Sequence, residues 1–320
     1  MATVRPDLTI IMVSYNTRDL TLAAIRTCLE TTRQTAFRLV VLDNASSDGS
    51  ADAIAEAFPP DRFPQIELVR SDENLGFAMA NNVVARTAET EFLLLLNPDT
   101  ECHEGAVDNL MRFARETPEA GIWGGRTTFP DGRLNPGSCW MRITPWSTLC
   151  WATGLTGLLP DTHLFNPEGL GGWSRDTERA VDIVSGCFFL VRRDLWDRLG
   201  GFDRSYFMYG EEADLCLRAR ALGAGPRITP TAHIMHIAGA SSPLQSAKRQ
   251  LVLKARVTLM RRHWPAWQIP IGIALVRSGV AARYLATQVL SRLTGSDGWS
   301  RRAAVQSDIW QARQDWLAGY

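Results

Sequence analysis

Three carboxylates crowd one short segment, Phe207-Met208-Tyr209-Gly210-Glu211-Glu212-Ala213-Asp214-Leu215. The pattern after Gly210 predicts that they occupy the first turn of a helix, the end that favours anions. On a helix Glu211 and Asp214 share a face while Glu212 points about a quarter-turn away, so the three need not do the same work. A carboxylate within hydrogen-bond reach of a hydroxyl can act as a general base, and repulsion within the cluster raises its proton affinity. Compensation of the helix dipole also accounts for acids at this place, without chemistry.

A second candidate ends the run Leu93-Leu94-Leu95-Leu96, where Asn97-Pro98-Asp99-Thr100 sets an amide and a carboxylate just past a buried strand. Oxygen ligands there suit a hard divalent cation, Mg²⁺ or Mn²⁺, which would bridge a nucleotide diphosphate and stabilise it as a leaving group. An Asx turn would use the same residues for structure alone. Leu42-Asp43-Asn44-Ala45-Ser46-Ser47-Asp48-Gly49-Ser50 ends another strand and opens a helix. Ser47 and Asp48 suit capping, but capping does not require Asp43, which can accept from a nucleobase N–H or a ribose hydroxyl. Asn74-Leu75-Gly76-Phe77, followed by Asn81 and Asn82, offers a tight turn and amides in the manner of a phosphate loop. His233 and His236 fall on a predicted strand, Ile228 to Ile237, on opposite faces. One of them can complete a metal shell, since imidazole ligates Mn²⁺-class ions.

Such residues need a scaffold that gathers strand ends. Short β-rich runs alternate with amphipathic ones: strands at Leu8–Ser14, Phe37–Leu42, Gln65–Val69 and Glu91–Leu96, and helices at Asp19–Thr31, Ser50–Phe58 and Phe77–Thr87. This is the pattern of βαβ units and a largely parallel sheet. Ligands on such sheets collect at the carboxyl ends of strands, where Tyr15, Asp43, Asn74 and Asp99 fall. A helix at Glu104–Glu116 precedes a loop-rich stretch that reaches Trp173. Val181–Val191 reads as one buried strand, Arg193–Leu199 as a short helix and Gly210–Leu222 as a helix closed by Gly223. Leu244 to about Leu293 is basic and helical, and the residues after it read as a loosely held terminus. No repeat or flexible linker interrupts the chain, which predicts one continuous body.

Lys plus Arg and Asp plus Glu both number 34, which gives no global attraction to nucleic acid. The distribution is uneven: no acid occurs from Leu215 through Ser296, while Arg218, Lys248, Arg249, Lys254, Arg256, Arg277, Arg283 and Arg292 lie inside that stretch. Either an anionic neighbour or the acidic first half can answer these cations. Six cysteines without a C-x-x-C pair, set in apolar runs, point to a reducing, cytoplasmic compartment. Met1 to Asp7 shows no export pattern. Ile143–Pro160 is uncharged, but its prolines and glycines make it a poor membrane span, and Ala266–Val276 is shorter still, ending at Arg277.

Taken in order, Val13-Ser14-Tyr15-Asn16, Val41-Leu42-Asp43-Asn44, Asn74-Leu75-Gly76-Phe77, Leu96-Asn97-Pro98-Asp99, and Ser185-Gly186 leading to Gly200-Gly201-Phe202-Asp203 resemble the family 2 glycosyltransferases, over residues 8 to 242. Met208-Tyr209, Glu211-Glu212 and Asp214-Leu215 extend the likeness to the bacterial rhamnosyltransferase-like members. The resemblance implies an α/β GT-A fold, a Rossmann-like, mostly parallel central sheet flanked by helices. Residues 1–242 would form that domain, with a donor half at 1–125 and an acceptor half at 126–242, and 243–320 a basic helical extension. It implies donor contacts from Ser14, Tyr15, Asn16, Asp43, Asn74, Gly76, Asn82 and Asn97, with Asp43 at the base and ribose. Asp99 and, by alignment, His236 would hold the metal. Glu212 would be the catalytic base, with Glu211 the runner-up and Asp214 beside them. Many relatives carry Asp where Asn97 and Glu212 stand; Glu lengthens the base by one methylene.

The expected activity is inverting, metal-dependent transfer from dTDP-rhamnose or a UDP-sugar to a bacterial glycan or polyprenyl-diphosphate-linked acceptor. The acid-free tail suggests peripheral attachment at the inner face of the cytoplasmic membrane, with Trp264 and Trp267 near the interface. Two competing classes are an inactive nucleotide-sugar or carbohydrate binding protein and a nucleotidyltransferase; no glycine-rich, lysine-bearing loop follows the first strand to support the latter.

Overall fold

The computed structural model describes residues 6–237 and 245–320. The first residues of the stretch read for export, and Leu244 at the start of the basic tail, lie outside them. The strands are β1 (Leu8–Ser14), β2 (Phe37–Asp43), β3 (Ile66–Arg70), β4 (Phe92–Leu96), β5 (Thr100–Cys102), β6 (Ile122–Thr128), β7 (Cys139–Trp140), β8 (Arg179–Ala180), β9 (Ile183–Val184), β10 (Phe188–Arg192) and β11 (Arg227–His236). The helices are α1 (Arg18–Thr31), α2 (Ser50–Ala57), α3 (Gly76–Thr87), α4 (Ala106–Glu116), α5 (Pro145–Thr153), α6 (Leu155–Leu158), α7 (Arg193–Leu199), α8 (Glu211–Ala221), α9 (Gln245–His263), α10 (Ile269–Thr294), α11 (Asp297–Gln311) and α12 (Arg313–Ala318). They fall into two units, Met1–Trp140 with Ser174–Ser241, and Met141–Trp173 with Ser242–Tyr320. Residues 141–173, expected within the acceptor half of the first domain, thus cluster with the C-terminal helices.

In the first unit the sheet runs in the order β3-β2-β1-β4-β10-β6-β11-β5, with β8 beside β11. The first four strands are mutually parallel, as their βαβ connections require. Chain order reverses between β1 and β4, so their carboxyl ends flank the crevice where open α/β sheets bind ligands. Beyond β4 the sheet is mixed: β10 runs antiparallel to both β4 and β6, while β6 and β11 are parallel. Apolar side chains are buried on both faces, which is why the strands read as unbroken apolar runs. Leu8, Ile10 and Met12 join Leu39, Val41, Leu94 and Leu96 on one face, with Ala24, Ile25 and Cys28 of α1 and Leu110 and Met111 of α4. On the other face Ile11, Val40 and Leu93 are buried too, and α3 packs against β1 and β2.

The expected single strand Val181–Val191 is broken. Ile183–Val184 pairs with β7, the chain turns through Ser185-Gly186-Cys187, and β10 then enters the main sheet. A Cβ at neighbouring Gly124 would fall 2.4 Å from Val184, so the glycine lets this break pack against β6.

The second unit is helical. Leu253, Met260, Val276, Val280, Ile309 and Trp316 form its core, joined by Trp151 and Trp264. The residues after α10, expected to be loosely held, instead form α11 and α12, and Trp316 is fully buried with its indole N–H on the Ile309 carbonyl at 2.8 Å. Trp264, expected at a membrane interface, packs inward and donates to the Ile143 carbonyl at 3.0 Å. Several cations of the basic tail are likewise engaged within the unit: Arg256 bonds Glu168 through both terminal nitrogens, Lys254 meets Asp315, and Arg283 lies over the Trp151 ring. All six cysteines are free and buried.

Truncating the buried indole of Trp316 removes a large core side chain and its hydrogen bond. Trp316→Ala should cost about 3–5 kcal/mol, read as a clear drop in melting temperature; an unchanged melting curve would show that the C-terminal helices are not part of the folded core.

Candidate active site

The loops leaving β1 and β2 are tied to one another. Asn44 donates its N–H to the Ser14 carbonyl at 2.8 Å. Asn16, held at φ +51°, accepts the Ser47 N–H on its side-chain oxygen at 2.8 Å and gives its own N–H to the Ser46 hydroxyl. Asp48 takes the N–H groups of Arg18 and Ser50, joining the starts of α1 and α2. Asn44 also bonds Asn74 at 2.9 Å and accepts the Leu75 N–H, which fastens the Asn74–Phe77 turn to the end of β2. Asp43 stands apart in this network. Its Oδ2 accepts from the Ser46 N–H at 3.1 Å, but its buried Oδ1 has no hydrogen-bond partner among the described residues. Leaving a buried acceptor unmet costs on the order of 1–3 kcal/mol, and a donor on a bound base or ribose would satisfy it. The ring of Tyr15 is exposed at the same strand end.

At the end of β4 the backbone N–H of Asn97 donates to the Cys187 carbonyl at 3.1 Å, and the Thr100 hydroxyl closes the turn on the Asn97 carbonyl at 2.6 Å. β5 then pairs antiparallel with the end of β11, setting Thr100 opposite His236. That register brings His236 Nε2 to 3.2 Å from Asp99 Oδ1, both side chains largely buried. Burial opposes a charge on His236, but the nearby Cys187 thiol and the hydrogen bond to Asp99 outweigh it and lift the imidazole to about 10. His233 is different: burial, His103 and Arg126 push it down to about 4, its ring stacks on His103, and Thr128 takes its Nε2.

Asp99 and His236 fit a divalent ion, which would take the place of the proton they share, since a ligating imidazole must be neutral. Bonds of about 2.1 Å at right angles put neighbouring ligands of an octahedron about 3 Å apart, close to the observed separation. Among the described residues no set of three His, Cys, Asp or Glu forms here or elsewhere. Two protein ligands are what a Mg²⁺-like ion commonly uses when phosphates and water fill the other positions.

The carboxylate cluster opens α8 as expected, after two residues in the left-handed region, Tyr209 (φ +69°) and Gly210 (φ +94°). A non-glycine residue held there costs about 1–3 kcal/mol and is a common mark of functional loops. The three acids then diverge. Asp214 is buried and ion-paired with Arg218 at 2.7 Å, and Arg218 also donates to the carbonyls of Leu199 and Gly201. Glu211 is buried with Oε2 unpartnered among the described residues; burial and the neighbouring Glu212 charge hold its carboxyl well above the usual range. Glu212, partly exposed, accepts the Gly210 N–H at 3.2 Å and is raised by burial. A Cβ on Gly186 would stand 4.0 Å from Glu212 Cβ, and the Cys187 side chain beside it hydrogen-bonds His236, so one turn adjoins both residues.

A glycosyl transferase family 2 profile matches residues 9–200. The chain belongs to that family. It is 28% identical over 262 residues to an N-acetylglucosaminyl-diphospho-decaprenol L-rhamnosyltransferase of Mycobacterium tuberculosis, covering 77% of this chain and 81% of that protein. A shorter stretch of 62 residues, 19% of the chain and 24% of the other, is 42% identical to the rhamnosyltransferase WbbL of Escherichia coli. The fold matches a mannosyltransferase of Pyrobaculum calidifontis solved with GDP-Man and Mn²⁺, with a TM-score of 0.60, 19% identity and coverage of 98% and 88% of the two chains. This glycosyltransferase therefore has a GT-A fold, and its curated relatives include bacterial rhamnosyltransferases.

Several residues expected to touch the donor have their side chains occupied in holding this glycosyltransferase together. Ser14 is fully buried with its hydroxyl on Thr21 at 2.9 Å. Asn74 caps its own turn at Gly76. Asn82 grips Phe202 from both sides, accepting its N–H at 2.9 Å and donating to its carbonyl at 2.8 Å. Gly76 serves close approach: with φ +73°, a Cβ there would lie 2.5 Å from the Phe207 carbonyl, which accepts the Phe77 N–H. Asp214, grouped above with the catalytic acids, is paired with Arg218 for the same reason: a buried charge must find a partner. Sequence reasoning missed Cys187, although Ser185-Gly186 marked the turn, and missed Arg218, whose spacing of four from Asp214 on a helix signals a pair.

Asp214→Ala should leave Arg218 half-buried and unpaired and cost about 3 kcal/mol, and Asn82→Ala should cost about 1–3 kcal/mol by freeing both Phe202 backbone groups. Thermal denaturation checks both; wild-type stability in either variant would show that its bonds do not hold the fold.

Proposed function

We propose that the chain is an inverting, metal-dependent glycosyltransferase that moves a sugar from a nucleoside-diphosphate donor to an acceptor hydroxyl in a single displacement. The observation that carries this reading is that one turn, Ser185-Gly186-Cys187, adjoins Glu212 through Gly186 and the Asp99–His236 pair through Cys187. Asp43 Oδ1 accepts from the base or ribose, Tyr15 and Asn16 border the same strand end, and Asn97 stands beside the diphosphate. When bound at Asp99 and His236, Mg²⁺ or Mn²⁺ would neutralise charge growing on the leaving diphosphate.

Glu212 takes the proton from the acceptor hydroxyl, whose oxygen attacks the anomeric carbon on the face opposite the diphosphate. Glu211 is the more deeply buried and is held above the usual carboxylate range by burial and the Glu212 charge, which favours Glu212 as the base. The likeness to a decaprenol-diphosphate L-rhamnosyltransferase supports dTDP-rhamnose as donor and a lipid-linked or cell-envelope glycan as acceptor; a UDP-sugar is the other donor to be tried. A catalytic site facing the cytoplasm would meet both.

Glu212→Gln should lower turnover by about 10²–10⁴-fold with donor affinity unchanged, and Glu211→Gln by much less. Asp99→Ala should abolish the gain in nucleoside-diphosphate affinity that Mn²⁺ brings, measured by calorimetry. The acid limb of the rate profile should lie above the ordinary carboxylate range, because burial raises Glu212, and activity should fall as pH drops through it. Turnover retained in Glu212→Gln would move the base elsewhere.

A further inference from the structure

Helix α10 has two faces of different character. It spans 26 residues and is long and apolar enough to cross a membrane, with a mean hydropathy of 1.3 over its most apolar window. This exceeds the expected Ala266–Val276 run because the helix continues straight through Arg277. One face is committed inward. Gly272, Val276, Gly279 and Val280 are buried, and Cβ atoms added to the two glycines would lie 2.4 Å from the Trp264 ring and 2.8 Å from the Ala152 backbone. Only glycine admits α9 and α5 so close.

The opposite face is bare. Ile271, Ala274, Ser278, Ala282, Leu285, Val289 and Leu293 are exposed and recur every three or four residues, within an arc of about 100° and along roughly 33 Å of helix. Ile271, Leu285, Val289 and Leu293 are 50%, 60%, 53% and 78% exposed, and Trp267, at 68%, stands just before the helix. Arg277 and Arg292 are exposed along it. No Asp or Glu occurs from Leu215 through Ser296, so nothing on α9 or α10 would repel a negative surface.

We propose that this face of α10 lies in the headgroup region of an anionic phospholipid bilayer, with Ile271, Leu285, Val289 and Leu293 among the acyl chains and Arg277 and Arg292 at the phosphates. An apolar stripe edged by arginine, with a tryptophan at its end and no acid, matches that partner in both polarity and charge. A span is disfavoured because crossing would strip the glycine face from Trp151 and Trp264. The surface is independent of the catalytic reading.

The test is co-sedimentation of the full-length protein with vesicles of equimolar phosphatidylglycerol and phosphatidylcholine at low salt, against phosphatidylcholine alone. The wild type should sediment with the first and far less with the second. The double variant Leu285→Asp with Val289→Asp should partition at least about tenfold less, and Arg277→Glu with Arg292→Glu should lose the preference for anionic lipid. All should keep the wild-type melting temperature and donor hydrolysis rate. Because turnover is not the readout, an inactive catalytic site leaves this test intact. The proposal is overturned if the wild type stays in the supernatant, if the aspartate variant sediments as well as the wild type, or if alkaline carbonate fails to release protein that detergent releases. A wild-type dimer made monomeric by the aspartates would assign the face to a second copy instead.

Discussion

The antiparallel insertion of β10 between β4 and β6 is the constraint on which the site depends. Its register, Phe188 opposite Leu96, delivers the turn before it to the end of β4, where Asn97 takes the Cys187 carbonyl. Asp99 follows β4 and Glu212 lies on a helix more than a hundred residues later. They are brought into one neighbourhood because Gly186 adjoins Glu212 and Cys187 hydrogen-bonds His236, the partner of Asp99. The strand is anchored by burial of Phe188, Phe189, Leu190 and Val191, so a broad apolar contact sets the position of a few polar groups.

Around that strand, polar side chains do structural work. Asn44 with the Asn74–Leu75 turn and Asn82 with Phe202 join segments far apart in sequence, while Arg218 neutralises Asp214 one helical turn away and holds the Leu199 and Gly201 carbonyls. The strained Tyr209-Gly210 pair sits between two such anchors, the Phe207 contact with Gly76 and Phe77 on one side and the Asp214–Arg218 pair on the other. Holding the start of α8 from both ends fixes where Glu211 and Glu212 fall, one buried and one partly exposed. Two of the buried polar atoms without a hydrogen-bond partner among the described residues, Asp43 Oδ1 and Glu211 Oε2, lie at the end of β2 and the start of α8.

Much of this was legible in the sequence. Strands β1 to β4 and helices α1 to α4, α7 and α8 lie within about two residues of their expected bounds, because periodicity and punctuation by Gly, Asn and Asp act locally. The convergence of Asp99 and His236, and the parting of His236 from His233, follow from a strand's alternation together with the β5–β11 register. Less could be read where the outcome depends on distant partners. Nothing local says that Ser14 and Asn82 turn inward or that Trp264 finds the Ile143 carbonyl. The break of the expected Val181–Val191 strand depends on β7, and α10 outruns its apolar core because Arg277 faces solvent. A charged residue ends an apolar run on paper but not a helix whose other face is packed.

With Glu212 acting as a base on the acceptor hydroxyl, the proposed transfer is a single displacement. The anomeric configuration of the first-formed product, read by NMR from its one-bond carbon–proton coupling, tests this most directly. Inversion relative to the nucleotide-sugar donor is the predicted result; retention would contradict the assignment of Glu212 as a base acting on the acceptor.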